Sequence, residues 1–148
     1  MNTHCIPIQP AKASATNSPF PLNQWYVAGF SSELTDKPIA RTFLNHKVVL
    51  FRTGDGQFAA LEDRCCHRSL PLSCGTVEGA GVRCGYHGML YAPSGQCIEI
   101  PGQDRIPAKA RVKAYTVVEK NHILWIWMPQ VEGGEPTANA PNYPHHDD

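Results

Sequence analysis

The chain of 148 residues has no long apolar run and no excess of charge of either sign. Lysine and arginine together number 13, as do aspartate and glutamate, so the formal net charge is zero. A balanced charge offers no basic surface for nucleic acid or for an anionic membrane. No run reaches the roughly 20 apolar residues that a membrane-spanning helix needs. These absences favour a globular domain with neither kind of partner.

A signal for secretion is also missing. The first residues have neither the cationic start nor the apolar core of a signal peptide, so we expect a cytoplasmic location. Six cysteines are many for such a chain. In a reducing compartment, cysteines bind metals or remain free thiols more often than they form disulfides. We therefore expect free thiols at Cys66 and Cys74 rather than a disulfide between these two residues, and a small buried side chain at Cys97.

Helical periodicity is nearly absent, because no segment repeats apolar residues at i, i+3, i+4 and i+7 over three turns. Short apolar runs are instead separated by turn residues, as at Thr53–Gly56 and Ala92–Gly95. This pattern predicts an all-β domain over residues 23–130. Residues 1–22 and 131–148, rich in proline and small polar residues, are expected to form a flexible leader and a flexible tail or start of a linker.

Three local structures follow from turn and capping residues. Asn45-His46 and Lys120-Asn121 are each predicted to be the two-residue loop of a hairpin. Ser31 is predicted to cap a single helical turn. The turn-rich region 63–89 is expected to lie between strands and to project from a sheet.

Within that region, two short segments each combine one cysteine with one histidine. Cys65-Cys66-His67 reads C-x-H, and Cys84-Gly85-Tyr86-His87 reads C-x-x-H. A zinc finger usually has both cysteines on one arm and both histidines on the other. Mixed arms fit a [2Fe–2S] cluster in which two cysteines hold one iron and two histidines hold the other. The spacing therefore predicts Cys65 and Cys84 on one iron, and His67 and His87 on the other.

Such a ligand set predicts one-electron transfer. Replacing two thiolates by neutral imidazoles makes the cluster easier to reduce, which raises its reduction potential. Each histidine would keep a second ring N–H for solvent or a partner. Gly75, Gly85 and Gly88 would let the backbone pass close to inorganic sulfur. Tyr86 is a candidate to cover the cluster or to donate its hydroxyl near Cys84, with core packing as the alternative. Arg68 is a cation suited to an acidic group on a partner.

These motifs resemble the Rieske domain of aromatic-ring hydroxylating and O-demethylating oxygenases. The similarity extends through Tyr91 and Gly95-Gln96-Cys97, and through the runs Trp25–Ala28, Ile100–Gly102 and Trp125–Trp127. In these runs the chain looks like the vanillate demethylase branch. The resemblance covers residues 23–128.

The resemblance implies a Rieske fold of antiparallel sheets, with a small inserted subdomain that carries both ligand loops. It also implies an oxidoreductase component that holds one Rieske-type [2Fe–2S] cluster per chain. Electrons would come from a reductase or ferredoxin. They would pass to a mononuclear non-haem iron in a catalytic domain of a neighbouring subunit, which activates O₂ to hydroxylate or demethylate an aromatic-type substrate. No catalytic residue is expected here, because the histidine–carboxylate motif of the second iron is missing and His145-His146 has the wrong spacing.

The chain departs from the family pattern at two positions near the ligands. Cys66 stands where proline is expected, and Met89 stands where an aromatic residue often follows His-Gly. The respiratory Rieske proteins carry a serine at the Met89 position that donates to the cluster. With fewer donors, we expect a reduction potential near the low end of the roughly −150 to +300 mV Rieske range.

Two other functions remain open from the sequence. The chain is short and lacks the second iron site, which fits a stand-alone Rieske ferredoxin that carries electrons between a reductase and an oxygenase. A zinc-stabilised interaction module with a structural Cys₂His₂ site is the third alternative. Counting iron, zinc and acid-labile sulfide would separate the last from the other two.

Overall fold

The computed structural model describes residues 19–144, and this part of the chain is built almost entirely from β-strands. The eleven strands are β1 (Gln24–Phe30), β2 (Ile39–Phe43), β3 (His46–Arg52), β4 (Phe58–Glu62), β5 (Thr76–Glu78), β6 (Gly81–Arg83), β7 (Leu90–Tyr91), β8 (Cys97–Glu99), β9 (Ala114–Tyr115), β10 (Val117–Lys120) and β11 (Ile123–Met128). Two 3-10 turns, Ser31–Glu33 and Leu72–Cys74, are the only helices among the described residues. None of the helices in this span could cross a bilayer. The predicted all-β class is confirmed.

The strands form three antiparallel sheets. The base sheet has the order β1-β11-β10, the central sheet β2-β3-β4-β9, and the small sheet β5-β6-β7-β8. Strands β4 and β9 pair directly, although the whole small sheet lies between them in sequence. The small sheet is therefore an insertion into the central sheet. This is the predicted Rieske arrangement, with a small subdomain inserted into a larger set of antiparallel strands.

The central sheet is buried on both faces, which explains the unbroken apolar run of β3. Val48 and Leu50 face the base sheet and pack with Ile126 and other residues of β11. Val49 and Phe51 face the small sheet. All four are at most 2% exposed. A strand covered on both sides loses the apolar–polar alternation of a half-exposed strand, and burying each such side chain contributes roughly 1.5–3 kcal/mol.

Both predicted hairpins are present, but each two-residue loop is displaced by one position. The β2–β3 turn is Leu44-Asn45, with φ of 50° and 66°, and the β10–β11 turn is Asn121-His122, with φ of 55° and 61°. Positive φ at both central positions is the type I′ pattern that suits the twist of a hairpin. Asparagine adopts positive φ more readily than most residues, so it indicates that a turn is present. It does not indicate whether the other turn residue precedes or follows it.

The predicted cap at Ser31 is wrong. The 3-10 turn begins after Phe30, and the Glu33 carboxylate accepts a hydrogen bond from the Phe30 backbone N–H at 3.0 Å. The Ser31 hydroxyl instead donates to the carbonyl oxygen of His122 at 3.3 Å. Its side chain therefore joins this turn to the end of the β10–β11 hairpin.

Part of the segment predicted to be a tail lies against the base sheet. The Trp25 indole N–H donates to the Ala138 carbonyl at 2.8 Å, and the Tyr143 ring stacks on Trp125 at 6.0 Å between centroids. Ala140 is buried in a cluster with Ile123 and Trp125, and its carbonyl accepts a hydrogen bond from Lys120 Nζ at 3.2 Å. The boundary at residue 130 stays a prediction. Residues 1–18, which hold most of the predicted leader, and His145-His146 lie outside the described residues.

Gly75 marks the closest approach between two backbone segments of the small sheet. A Cβ atom at this position would lie 1.8 Å from the Arg83 carbonyl oxygen and 3.1 Å from that of Leu72. The sequence assigned this glycine to close passage past inorganic sulfur. The structure shows that it makes room for the neighbouring strand β6, and its passage close to inorganic sulfur stays a prediction.

We expect Gly75→Ala to destabilise the protein by about 1–3 kcal/mol, because two backbone segments would have to separate to admit the methyl group. Urea unfolding followed by circular dichroism would measure the loss. Gly85→Ala is the matched control, since its Cβ would approach the Cys74 carbonyl oxygen no closer than 3.2 Å. Equal free energies of unfolding for the two variants would contradict the steric argument.

Candidate metal centre

Two loops with the same backbone hydrogen bonds hold the four predicted ligands. The first loop is residues 65–70, after β4, and the second loop is residues 84–89, between β6 and β7. In each loop the N–H of the first residue donates to the carbonyl of the sixth, at 2.8 Å in both cases. In each, the N–H of the fifth residue donates back to the carbonyl of the first, at 2.9 Å in the first loop and 3.1 Å in the second.

The fifth residue of each loop has a positive φ, which closes the turn. It is Ser69 in the first loop, with φ of 54°, and Gly88 in the second, with φ of 75°. A Cβ at Gly88 would also lie 3.0 Å from Pro101 Cγ. Glycine therefore suits the second loop for both conformational and steric reasons.

The two cysteines at the loop starts are buried together between the central and small sheets. Cys65 is 2% exposed and Cys84 is 3% exposed. A hydrogen bond from Cys84 lowers the pKa of Cys65 most, followed by hydrogen bonds from Tyr91 and from the backbone N–H groups of His67 and Arg68, against the opposing effect of burial. The pKa of Cys84 is raised, first by this hydrogen bond to Cys65 and then by burial. The pair is thus adjacent, with one sulfur favoured as a thiolate.

Backbone N–H groups point at both sulfurs in the same way. Cys65 receives those of His67 and Arg68, and Cys84 receives those of Tyr86 and His87. In each loop these donors are the third and fourth residues. Donors in this position favour a negatively charged sulfur, which is the form that binds a metal.

The two histidines form a second pair at the surface. His67 Nδ1 and His87 Nδ1 are 3.1 Å apart, and their ring centroids are 4.9 Å apart. Two nitrogens bound to one tetrahedral metal at about 2.0–2.1 Å would be roughly 3.4 Å apart. The two Nδ1 atoms therefore face a common point almost at ligand separation. Because Nδ1 points inward, Nε2 of each ring points away from the pair.

Tyr91 is a site residue for which the motif analysis gave no role. Its side chain is fully buried, and its hydroxyl lies 3.2 Å from Cys65 Sγ and 3.1 Å from Cys66 Sγ. The Cys66 backbone N–H donates to the same oxygen at 3.1 Å. The one available signal was a tyrosine within an apolar strand, since a buried tyrosine hydroxyl needs a partner.

Two charged residues support the loops from outside. The buried Asp63 carboxylate accepts hydrogen bonds from the Ser73 N–H and hydroxyl, both at 2.7 Å. Asp63 precedes the first loop and Ser73 follows it, so these bonds join the segments on either side of the loop. Arg83 donates to the Gly88 carbonyl at 2.6 Å while pairing with Glu78 and Glu99. Sequence reasoning missed both, because each joins residues with no shared motif.

The three other predicted site residues lie in the loops but differ in their surroundings. Tyr86 is 57% exposed and stacks on His87, with centroids 4.1 Å apart and planes 19° apart. Core packing of Tyr86, the alternative considered from the sequence, is therefore wrong. Arg68 is exposed beside His67, and Gly88 closes the second loop.

The expectation of free thiols holds for Cys66 but is wrong for Cys74. Cys66 has a free and exposed thiol, whereas Cys74 is disulfide-bonded. Cys97 is free and 2% exposed, as predicted. The expectation for Cys74 came from the redox preference of a compartment. That preference does not determine whether two particular cysteines have the geometry that a disulfide needs.

A cavity of about 600 Å³ opens beside the imidazole pair. Its walls come from the loops, at Cys66, His67, His87 and Met89, and from the segment 100–110 opposite. Ile100, Pro101 and Pro107 make much of that wall apolar. The exposed rings thus border a concave, partly apolar space.

The donor set fits a two-iron cluster with mixed ligands. The donors occur as a buried sulfur pair and a surface nitrogen pair, and within residues 19–144 no group of three or more His, Cys, Asp or Glu is placed to share one ion. A Rieske [2Fe–2S] cluster takes two cysteines on one iron and two histidines on the other. The fold and the donors therefore define a class, an antiparallel β domain with the ligand set of an iron–sulfur protein.

Comparison with known proteins identifies the family. The Rieske [2Fe-2S] domain family matches residues 24–120, which is well over half of the chain. The chain belongs to the Rieske [2Fe-2S] domain family, and its cofactor is a Rieske-type [2Fe–2S] cluster. The family predicted from the motifs is thus confirmed.

Individual relatives agree with this assignment. The iron–sulfur subunit TsaM2 of Comamonas testosteroni is 56% identical over 120 residues, covering 81% of this chain and 33% of the relative. The vanillate O-demethylase oxygenase subunit of Pseudomonas sp. is 40% identical over 117 residues, covering 79% of this chain and 33% of the relative. A crystal structure of dicamba monooxygenase bound to dicamba superposes with a TM-score of 0.76 at 37% identity, covering 85% of this chain and 38% of that one. The chain thus spans about a third of the length of these relatives.

We expect Tyr91→Phe to lower the reduction potential of the cluster. A hydroxyl that donates to a cysteine sulfur stabilises the reduced, more negative state, so removing it favours the oxidised state. For one hydrogen bond the expected drop is on the order of tens of millivolts. A redox titration followed by visible absorption would measure it. An unchanged or higher potential would show that the hydroxyl does not donate to the cluster's ligand shell.

Proposed function

We propose that this chain transfers single electrons as the Rieske domain of an oxygenase. Cys65 and Cys84 would hold the inner iron, and His67 and His87 the outer iron through Nδ1. The bound cluster supplies a centre that accepts and releases one electron. The observation that carries the proposal is the surface pair of imidazoles, whose Nδ1 atoms face each other at 3.1 Å above two buried cysteines.

The cysteine pair and the histidine pair lie in different environments. The cysteines lie among apolar side chains of the central and small sheets, away from water. The imidazoles lie at the surface, where an outward Nε2–H can donate to an acceptor's ligand and fix the distance between the two centres. Electrons would therefore enter and leave on the histidine side.

Arg68, Tyr86 and Gly88 have supporting roles in this proposal. The Tyr86 ring stacks on His87 and so restricts the orientation of that imidazole. Gly88 closes the second loop with a positive φ that most residues avoid. Arg68 presents a cation beside His67, suited to an acidic group on a redox partner.

The wider setting follows from the relatives. They are named as oxygenase or monooxygenase components, and this chain spans about a third of their length. We propose a reductase or ferredoxin as electron donor and a catalytic non-haem iron domain of a neighbouring subunit as acceptor. That domain would hydroxylate or demethylate an aromatic-type substrate in the cytoplasm. Residues 23–130 would form the electron-transfer domain, with 1–22 as leader and 131–148 as a tail or the start of a linker.

Metal analysis and EPR test the ligand assignment. We expect two irons and two acid-labile sulfides per chain, a red-brown colour that dithionite bleaches, and an EPR signal only in the reduced state. One zinc without sulfide would contradict the proposal and favour the structural zinc alternative.

A reconstituted assay tests the oxygenase setting. The isolated chain is mixed with a reductase and a separately prepared catalytic domain of a relative, and product is counted per molecule of this chain. A domain of an oxygenase should support little turnover when detached. Many turnovers per molecule would favour the stand-alone ferredoxin instead.

A further inference from the structure

The hydroxyl of Tyr91 has more neighbours than it has protons. Its oxygen lies 3.2 Å from Cys65 Sγ, 3.1 Å from Cys66 Sγ and 3.8 Å from Met89 Sδ. The Cys66 backbone N–H donates to the same oxygen at 3.1 Å. A tyrosine hydroxyl carries a single proton, so it can make one full hydrogen bond as a donor. Three sulfurs therefore compete for one proton.

The competition is between Cys65 and Cys66, because Met89 is farther away and a thioether is a weak acceptor. The two cysteine sulfurs are almost equally distant from the oxygen. At Cys66 the geometry makes the hydroxyl the donor and the sulfur the acceptor. Cys65, once bound to iron, has no proton to give, so there too the hydroxyl can only donate.

We propose that Cys66 is a positioning residue that draws the Tyr91 hydroxyl partly away from Cys65 and thereby lowers the reduction potential. The inference rests on the proposed function, in that Cys65 is taken as an iron ligand. Hydrogen bonds to the ligand sulfurs stabilise the reduced cluster. While the Tyr91 hydroxyl donates to Cys66 it does not donate to Cys65, so the reduced cluster is stabilised less.

Cys66 lies where its side chain can be replaced without disturbing the core. Its neighbour Cys65 is buried, but Cys66 itself is exposed and lines the cavity beside the imidazole pair. Tyr91, in contrast, is held in β7 with no exposed surface. The hydroxyl position is therefore fixed, while the acceptor at residue 66 can be changed without opening the core.

The test is a redox titration of the loaded protein with substitutions at positions 66 and 91, singly and combined. We expect Cys66→Ala to raise the potential, because the whole hydroxyl donation returns to Cys65. Cys66→Ser should stay near the unmodified protein, since a serine oxygen still accepts from the hydroxyl. In a Tyr91→Phe background, Cys66→Ala should cause no shift, because there is no hydroxyl to share.

Three outcomes would overturn the inference. The first is a potential for Cys66→Ala that equals or falls below that of the unmodified protein. The second is the same rise in the Tyr91→Phe background, which would place the effect outside the hydroxyl. The third is failure of both Cys66→Ala and Cys66→Val to bind the cluster while Cys66→Ser binds it, which would make the role structural.

The reduced-state EPR spectrum separates this inference from the proposed function. If the unmodified protein gives no signal of a mixed-ligand cluster, the proposed function itself fails. If the signal is normal and only the Cys66→Ala shift is absent, the proposed function stands and this inference alone is wrong.

Discussion

Cys84→Ser is expected to abolish cluster binding. In the proposed site Cys84 would supply one of two thiolates for the inner iron, and a serine hydroxyl is a far weaker ligand for iron at neutral pH. Its position is also 3% exposed between two sheets, so bulk water has little access to the vacated coordination position. We expect iron and acid-labile sulfide to fall to background and the visible absorption to disappear. The midpoint of thermal unfolding should fall as well, because metal binding contributes to folding.

Cys97→Ser is the matched control for this variant. Cys97 is 2% exposed and lies on β8, next to Tyr91 on β7, so the substitution buries the same hydroxyl in the same core. We expect it to reduce stability without loss of iron. A Cys84→Ser protein with full iron and sulfide would refute the ligand assignment, and loss of iron in both variants would mean that any polar substitution in this core prevents assembly.

His87→Cys should lower the reduction potential strongly if a cluster still assembles. The change replaces a neutral imidazole by a thiolate, which adds negative charge to the outer iron and makes its reduction less favourable. Clusters with four cysteines lie near about −400 mV, well below the Rieske range, so exchanging one of the two histidines should cost on the order of 100 mV or more. For a one-electron couple this is about 2 kcal/mol or more.

Redox titration measures this shift, and His46→Cys is the control. His46 is exposed at the start of β3, in the central sheet and outside both loops, so the same substitution should leave the potential unchanged. The EPR spectrum of reduced His87→Cys should also move toward that of an all-cysteine cluster. An unaltered potential with an unaltered spectrum would mean that His87 is not a ligand.

The candidate ligands could be proposed from the sequence because their pattern is local. In each segment only one or two residues separate the cysteine from the histidine, and glycine directly follows the second segment. The all-β class was equally accessible, since the run in β3 and the turns at Thr53–Gly56 and Ala92–Gly95 are short-range signals. What these signals fix is the type of each element and the chemistry of the site.

The residues that support the ligands could not be predicted in the same way. Tyr91 contacts Cys65 of the first loop from strand β7, and the Asp63 carboxylate accepts hydrogen bonds from Ser73 on the other side of that loop. Arg83 reaches Gly88 because the second loop folds back over its own strand. Each contact depends on how the small sheet packs, which no short motif encodes. The turn positions were missed for a smaller reason, since Leu44 adopts a positive φ that leucine rarely has.

Four of the donors that face the two cysteine sulfurs are peptide N–H groups, and this restricts which substitutions the loops tolerate. Any residue except proline supplies such a donor. Exchanging the side chains at positions 68 and 86 therefore leaves the contribution of these backbone N–H groups to the reduction potential unchanged. Proline at either position would delete a donor outright. Adaptation of this domain to a more or less reducing partner is therefore confined to the few side chains that touch sulfur, while the peptide framework stays constant.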